Sequence, residues 1–401
     1  MTREDKTRRL SLTAGHVIFA NVDAEVSPAG RAGFQTVFCT ESRIDENVLP
    51  VIEPLFQYSQ RGGYAPDELP PEYLFLKVNP AQVFVARITP DLLTRDKAGR
   101  NTVLFVHGLL FHAKEFLRKI NANPFAVIDS DPFVKDYESV IRQCGGTPTV
   151  RNIPESKIRI IPQQLSFQRE AFPTAMSDPT FRRMIALGAT TSQKTPQRVL
   201  VAAEYLSFLD FARSLFAILP ARLRLQNSFD TAAVSDVGTV KNPSTPVLWN
   251  AVASRRIPRD WAGVQVSLKT EEDWRLPPPA SRTPFLIWLD AAKLNFTDPS
   301  ASESICRKVN FGYEFHRALL GKGTFSQTND ELVAETFEEF LYANYSAIKD
   351  ALFQNFCDFP GEVAAASLTE SAMEWIRQDG PPALASVSQR FLNWQICQWL
   401  W

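Results

Sequence analysis

The chain has 401 residues, 45% of them hydrophobic and 22% charged, with a formal net charge of −1. That length holds two or three domains with ample core, and the even charge balance excludes the basic field that a nucleic-acid binder needs. Short basic clusters, Lys6-Thr7-Arg8-Arg9 and Arg255-Arg256, read as solvated surface.

Five cysteines (Cys39, Cys144, Cys306, Cys357 and Cys397) are odd in number, far apart and without a C-x-x-C pair. Neither a disulfide framework nor a zinc ribbon is suggested. The opening MTREDKTRRL has charge with no apolar stretch behind it, and no run of about 18 apolar residues occurs. A reduced, cytoplasmic protein without membrane insertion is expected. Phe is abundant at 29 residues, beside 8 Trp, which points to thick cores or to cores plus a partner surface.

In chain order, Gly15–Asn21 and Gly33–Thr40 read as strands separated by the turn cluster SPAG. Ser42 is a candidate cap for a helix reaching about Gln57, with Val48, Ile52, Leu55 and Phe56 on one face; Pro50 places its true start near that residue. Glu72–Thr89 predicts a hairpin around Asn79-Pro80, and Thr102–Leu110 a strand followed by a short helix over His112–Ile120. A Pro-rich, polar passage near Thr147–Pro154 reads as a boundary. Beyond it, Gln197–Leu219 carries helical spacing, with Val199 and Leu200 assignable to a short strand before it, and Ala221–Phe229 alternates as a half-buried strand does. Thr245–Ala253 and Val264–Leu268 read as further strands, and Ser302–Leu320, Asn329–Phe356, Thr369–Arg377 and Leu384–Trp401 as helices. The expected fold is α+β: a mostly antiparallel sheet domain over 1–152, a mixed α/β domain over 153–298 and an all-helical domain over 299–401.

The stretch NTVLFVHGLLFHAKEF, Asn101–Phe116, holds two of the four histidines. A hydrolase with a strand-His-Gly oxyanion loop also needs a G-x-S-x-G nucleophile elbow, and none is present. His107 and His112 are five apart, about 100° off the shared helical face that a spacing of four gives two metal ligands. Gly321-Lys322-Gly323-Thr324 lacks the first glycine and the terminal Lys-Ser/Thr of a phosphate loop, so nucleotide hydrolysis by this chain is not expected. The carboxylate pairs at Glu271-Glu272-Asp273 and Glu338-Glu339 read as solvated faces. No catalytic, cofactor-binding or metal-binding residue is assigned. His107 is expected to be structural or pocket-lining; a buried imidazole needs a partner, and its replacement by Ala should cost roughly 1–3 kcal/mol.

One order of short motifs carries a resemblance. Ser27-Pro28-Ala29-Gly30-Arg31-Ala32-Gly33-Phe34-Gln35 is followed by a helix ending Leu55-Phe56-Gln57-Tyr58 and by Gly99-Arg100-Asn101 leading to Phe105, His107, Leu109 and Leu110. Asn123-Pro124-Phe125, Ser130-Asp131-Pro132-Phe133, Leu219-Pro220, Arg224 and Asn227-Ser228-Phe229-Asp230-Thr231 come next. Over about Gly15 to Thr231 this resembles the N-terminal and middle domains of the GTPase-associated protein family of bacterial conflict systems. The resemblance implies a non-catalytic adaptor, regulator or sensor that binds a GTPase, or another protein encoded beside it, in an antiviral defence response. No catalytic residues are carried over.

Two candidate surfaces follow. A small-ligand sensor or enzyme would place a pocket near Arg31, Gly33 and His107. A protein-binding component would use the C-terminal helix SVSQRFLNWQICQWLW, where Trp394, Trp399 and Trp401 widen the apolar arc beyond one core-facing stripe. The other reading of that helix is an element clamped between two layers of its own domain.

Overall fold

The computed structural model describes residues 10–25, 27, 30–56, 70–91, 103–143, 152–161, 178–191, 197–203, 205–231, 247–252, 263–268, 283–294, 302–319, 336, 339–340 and 343. Among these the protein is α+β, built on one mixed sheet of ten strands. The strands are β1 (Leu10–Val22), β2 (Gly33–Cys39), β3 (Glu72–Asn79), β4 (Gln82–Asp91), β5 (Val103–His112), β6 (Ser156–Ile160), β7 (Gln197–Ala202), β8 (Ser228–Asp230), β9 (Val247–Val252) and β10 (Val264–Ser267). Their spatial order is β10-β7-β9-β8-β3-β4-β5-β1-β2, with β6 also paired to β1.

The two halves of this sheet differ in direction. β1 to β6 pair only antiparallel, and the expected hairpin is present, with Asn79 opposite Gln82. β10, β7, β9 and β8 run parallel, and β8 joins the halves by pairing antiparallel with β3. The sheet therefore continues through the passage expected as a boundary. Asn152 bridges Cys39, and β6 extends along the N-terminal half of β1, end to end with β2.

Both faces of the antiparallel half are buried, which explains its near-continuous apolar runs. Val17, Phe19, Leu74, Leu76, Phe84, Val106 and Leu110 form a core on one face with Val48 and Ile52 of α1 (Val48–Ile52). Ile18, Ala20, Val22, Val37, Phe38, Phe105 and Val140 form a core on the other. Val37 and Phe38 are sequence neighbours yet share that core. The register slips between Ile18 and Phe19, so one residue of β2 is extra, and such a bulge turns a side chain back to the face of its neighbour. Gly108 is set by packing: a Cβ there would stand 2.1 Å from the ring of Phe84, itself fully buried.

Helices α2 (Ala113–Ile120), α3 (Phe125–Ile128), α4 (Tyr137–Gln143) and α6 (Tyr205–Ile218) accompany this sheet. Six rings, Phe75, Phe111, Phe116, Phe125, Phe216 and Phe229, meet at centroid distances from 5.2 to 6.4 Å. Much of the Phe excess is thus core.

Two local expectations are corrected, and between them the short strand assigned to Val199 and Leu200 is present. The helix expected over Ser42–Gln57 is broken into a 3-10 turn at Glu41–Arg43, α1 and a 3-10 turn at Glu53–Leu55. Pro50 and Pro54 remove the donors a continuous helix requires, although Val48, Ile52, Leu55 and Phe56 are buried as their spacing indicates. The segment Gln197–Leu219 is a strand and then a helix, because β-branched Val199 and Val201 sit in a parallel ladder. Ala221–Phe229 is not one strand: α7 (Ala221–Arg224) follows Pro220, and only Ser228–Asp230 pairs. Asn227 holds the turn by donating to the Leu223 carbonyl at 2.8 Å, and Arg224 donates to the carbonyls of Ala217 and Asn121 at 2.7 and 2.9 Å.

The chain divides into two compact units, and the sheet lies in the first. The second contains α8 (Pro284–Ala291) and α9 (Ser302–Leu319), while α5 (Asp178–Thr191) begins in it. Thr283 caps α8 by accepting from Leu286 N, with Pro284 at the first helical position. Gly312 lets α9 approach closely, since a Cβ there would stand 2.4 Å from the Trp288 ring. The helices expected over Thr369–Arg377 and Leu384–Trp401 lie outside the described residues, as does most of Asn329–Phe356, where Thr336, Glu339, Phe340 and Ala343 are helical.

Candidate functional site

Strand register brings three chemistry-bearing side chains together on one face. Ile18 of β1 stands opposite His107 of β5, and Ala14 opposite Ser156 of β6. His16 lies between Ala14 and Ile18 on the same face, diagonal to both partners, where side chains meet across strands. His16 Nε2 is 2.8 Å from Ser156 Oγ, and His16 Nδ1 is 3.0 Å from His107 Nε2. The two imidazoles are nearly parallel with centroids 5.3 Å apart, and Phe133 stands edge-on to His107 at 5.8 Å. The spatial order hydroxyl, imidazole, second imidazole is that of a nucleophile, a base and an orienting group.

The direction of the protons decides what the arrangement does. The backbone N–H of Val134 donates to His107 Nδ1 at 2.8 Å, so that nitrogen carries no proton. The proton of neutral His107 is then on Nε2, directed at His16 Nδ1, which must accept it. His16 in turn carries its own proton on Nε2 and donates it to Ser156 Oγ. A general base needs the opposite tautomer, with Nε2 free to receive the hydroxyl proton. The relay is therefore wired to hold Ser156 as an acceptor, not to activate it.

Burial fixes the charge state. His107 is only 2% exposed, and desolvation together with neighbouring His16 pulls its pKa down to about 3. Burial lowers His16 as well. A proton added to His16 Nδ1 would face the His107 Nε2–H, donor against donor. Beside the relay, Arg43 crosses Gly15, where a Cβ would meet its Cγ at 2.6 Å, and grips Glu155 through bonds of 2.6 and 3.0 Å. That pairing holds the Glu155 carboxyl below its usual range.

The residues singled out in the sequence fall in separate places. His107 is buried with both ring nitrogens engaged. Arg31 is exposed, and its carbonyl accepts from the Gln35 amide at 2.6 Å. Gly33 opens β2 at φ +113°, opposite Val22, four residues along β1 from the partner of His107. That is about 13 Å of strand. His112 is exposed at the start of α2, and His316 is buried on α9. Among the described residues no group of His, Cys, Asp and Glu is arranged to hold a metal. Trp394, Trp399, Trp401 and Gly321–Thr324 lie outside the described residues. Sequence reading missed the His16–Ser156 contact. The signal available was the even spacing of Ala14, His16 and Ile18 on one strand, but the register linking residues 16, 107 and 156 is a tertiary property.

The lateral edge of the sheet formed by β2 and β6 has its own character. Phe34 on β2 is 45% exposed and Ile161, just past β6, is 41% exposed; they are the large apolar side chains standing furthest into solvent among the described residues. Phe34 is held against Phe19 at 6.2 Å. Among the described residues no helix is long and apolar enough to cross a membrane. Comparison with protein-family models gives no match, and comparison with curated proteins gives none.

Proposed function

We propose that the chain is a non-catalytic adaptor or regulator of a GTPase-centred bacterial defence system, acting by protein–protein binding. The observation that supports this reading is the β2–β6 edge. β2 ends the strand order, and Phe34 and Ile161 stand out from that edge into solvent. Strand edges bind extended segments through main-chain hydrogen bonds, with flanking apolar side chains supplying specificity. The alternative, an enzyme with a pocket near Arg31 and His107, is disfavoured by the tautomer of the His16–His107–Ser156 relay and by the exposure of Arg31. Trp394, Trp399 and Trp401, on the helix expected from sequence at the C-terminus, are kept as a second candidate contact.

Co-purification with a GTPase encoded beside this chain, the partner this reading requires, tests it. Phe34→Asp and Ile161→Asp should leave the fold intact, because both side chains reach solvent at the rim of the sheet and neither is fully buried, and should weaken capture of the GTPase at least tenfold. Undiminished capture by the double variant, or no association of the wild-type pair, overturns the edge as the contact.

A further inference from the structure

A second polar cluster lies in the parallel half of the sheet, and its hydrogen bonding is open where that of the His relay is closed. Asp230 of β8 stands beside Asn250 of β9, which stands beside Leu200 of β7; two residues earlier, Ser228, Leu248 and Arg198 form the next row. Residues paired in this way share a face, and adjacent strands are about 4.8 Å apart. The cluster thus occupies a compact patch on one face of three parallel strands.

Asn250 is completely buried, yet neither its Oδ1 nor its Nδ2 has a hydrogen-bond partner. Ser228 Oγ and Arg198 Nη1 are likewise buried without partners. Buried side-chain amides are almost always paired, because an unpaired one forfeits its hydration with nothing in return. Four open polar atoms on one face are therefore a built set of donors and acceptors. Asp230 ends β8 and Asn250 is two residues from the end of β9, so these two lie toward the carboxyl ends of parallel strands, where open α/β sheets bind ligands, while Ser228 opens β8 and Arg198 lies near the start of β7.

The chemistry of the set selects the ligand. Arg198 and Asp230 carry opposite charges and act on each other, so the patch is close to neutral and suits an uncharged ligand. Asn250 offers an open acceptor and open donors side by side. Their complement is an edge with an adjacent N–H and C=O or ring nitrogen, the pairing asparagine makes with nucleobases. Ser228 and Arg198 add donors for oxygens beyond that edge. We infer that Asn250, with Ser228 and Arg198, is the reading element of a binding site for a nucleobase or nucleoside. This site stands independently of the adaptor reading, because it rests on other strands at the far end of the strand order.

The full chain is titrated separately with adenosine, guanosine, cytidine and uridine up to millimolar concentration, by calorimetry and by thermal shift. At least one nucleoside should bind and raise Tm. Asn250→Leu should remain folded and bind that nucleoside at least tenfold more weakly, since it loses both halves of the contact. Asn250→Asp, which keeps acceptors and loses the amide donors, should change the order of preference among the four. If none of the four shifts Tm or gives heat, or if Asn250→Leu binds as the wild type does, the site holds water only and the inference is overturned.

Discussion

The two ends of the sheet bury polar groups in opposite ways. In the antiparallel half, Val134, His107, His16 and Ser156 satisfy one another in a directed chain, and nothing from outside is needed. In the parallel half, Asn250 and Ser228 are fully buried, as His107 nearly is, and have no partner for their side chains. A closed network rigidifies its surroundings, whereas an open one is either a cost carried by the fold or an invitation to a ligand. Burial of a polar residue alone therefore says little; what separates a structural cluster from a binding one is whether its hydrogen bonds are already made.

The largest effect expected tests how fully the antiparallel half is filled. Gly108→Val should destabilise by about 3 kcal/mol, because its Cβ meets the buried Phe84 ring at 2.1 Å and a filled core repacks poorly. Urea denaturation measures it, and a change under 1 kcal/mol would show slack in this core.

The same substitution at both ends then separates them. His107→Leu should cost roughly 2–3 kcal/mol by leaving His16 Nδ1 and the Val134 N–H without partners, while Asn250→Leu in the absence of ligand should cost nothing or stabilise slightly, because no bond is lost and a desolvated amide is removed. Equal losses in urea denaturation would erase the distinction.

Acid should act through the closed end. His107 has a folded pKa of about 3 against an ordinary value of 6.5, so between these values the unfolded chain binds the proton and the folded chain does not. Stability contributed by the neutral ring is complete above pH 6.5 and falls as pH drops toward 3, by up to about 1.4 kcal/mol per pH unit. His107→Gln should flatten that part of a stability–pH profile; an unchanged slope would assign it to other groups. The smallest effect is at the rim of the relay. Ser156→Ala removes only the acceptor of His16 Nε2–H, which water can replace at this half-buried position, and should cost about 1 kcal/mol or less in thermal melts.

Much of the antiparallel half was legible from local pattern. β3 and β4 announce themselves by alternation around Asn79-Pro80, and β5 with α2 by an apolar run that gives way to charged residues. The failures have physical causes. Pro50 and Pro54 cut a helix whose hydrophobic face was nevertheless right, and Arg222 and Arg224 supplied a strand-like alternation to a single helical turn. The continuity of one sheet across both expected N-terminal and middle domains was not legible, because β8 contributes only three residues. Neither cluster was legible either. His16 and Ser156 are 140 residues apart, and Asn250 reads as any polar residue in the apolar stretch VLWNAV until its neighbours on β7 and β8 are known.

The shortness of β8 has a consequence for motion. The antiparallel and parallel halves meet along β8 through two register pairs with β3, Leu74 with Asp230 and Phe75 with Phe229, extended by the reciprocal bonds between Tyr73 and Thr231. That two-pair ladder is the shortest among the described strands, although Phe75 packs across it on Phe216 and Phe229, and local opening of the sheet is expected to begin there. Amide protons of β1, β4 and β5 should exchange with solvent as one slow set and those of β7 and β9 as another, with the β3–β8 seam opening first. A ligand seated on Asn250 would then slow exchange at the seam itself, stiffening the junction between the two halves.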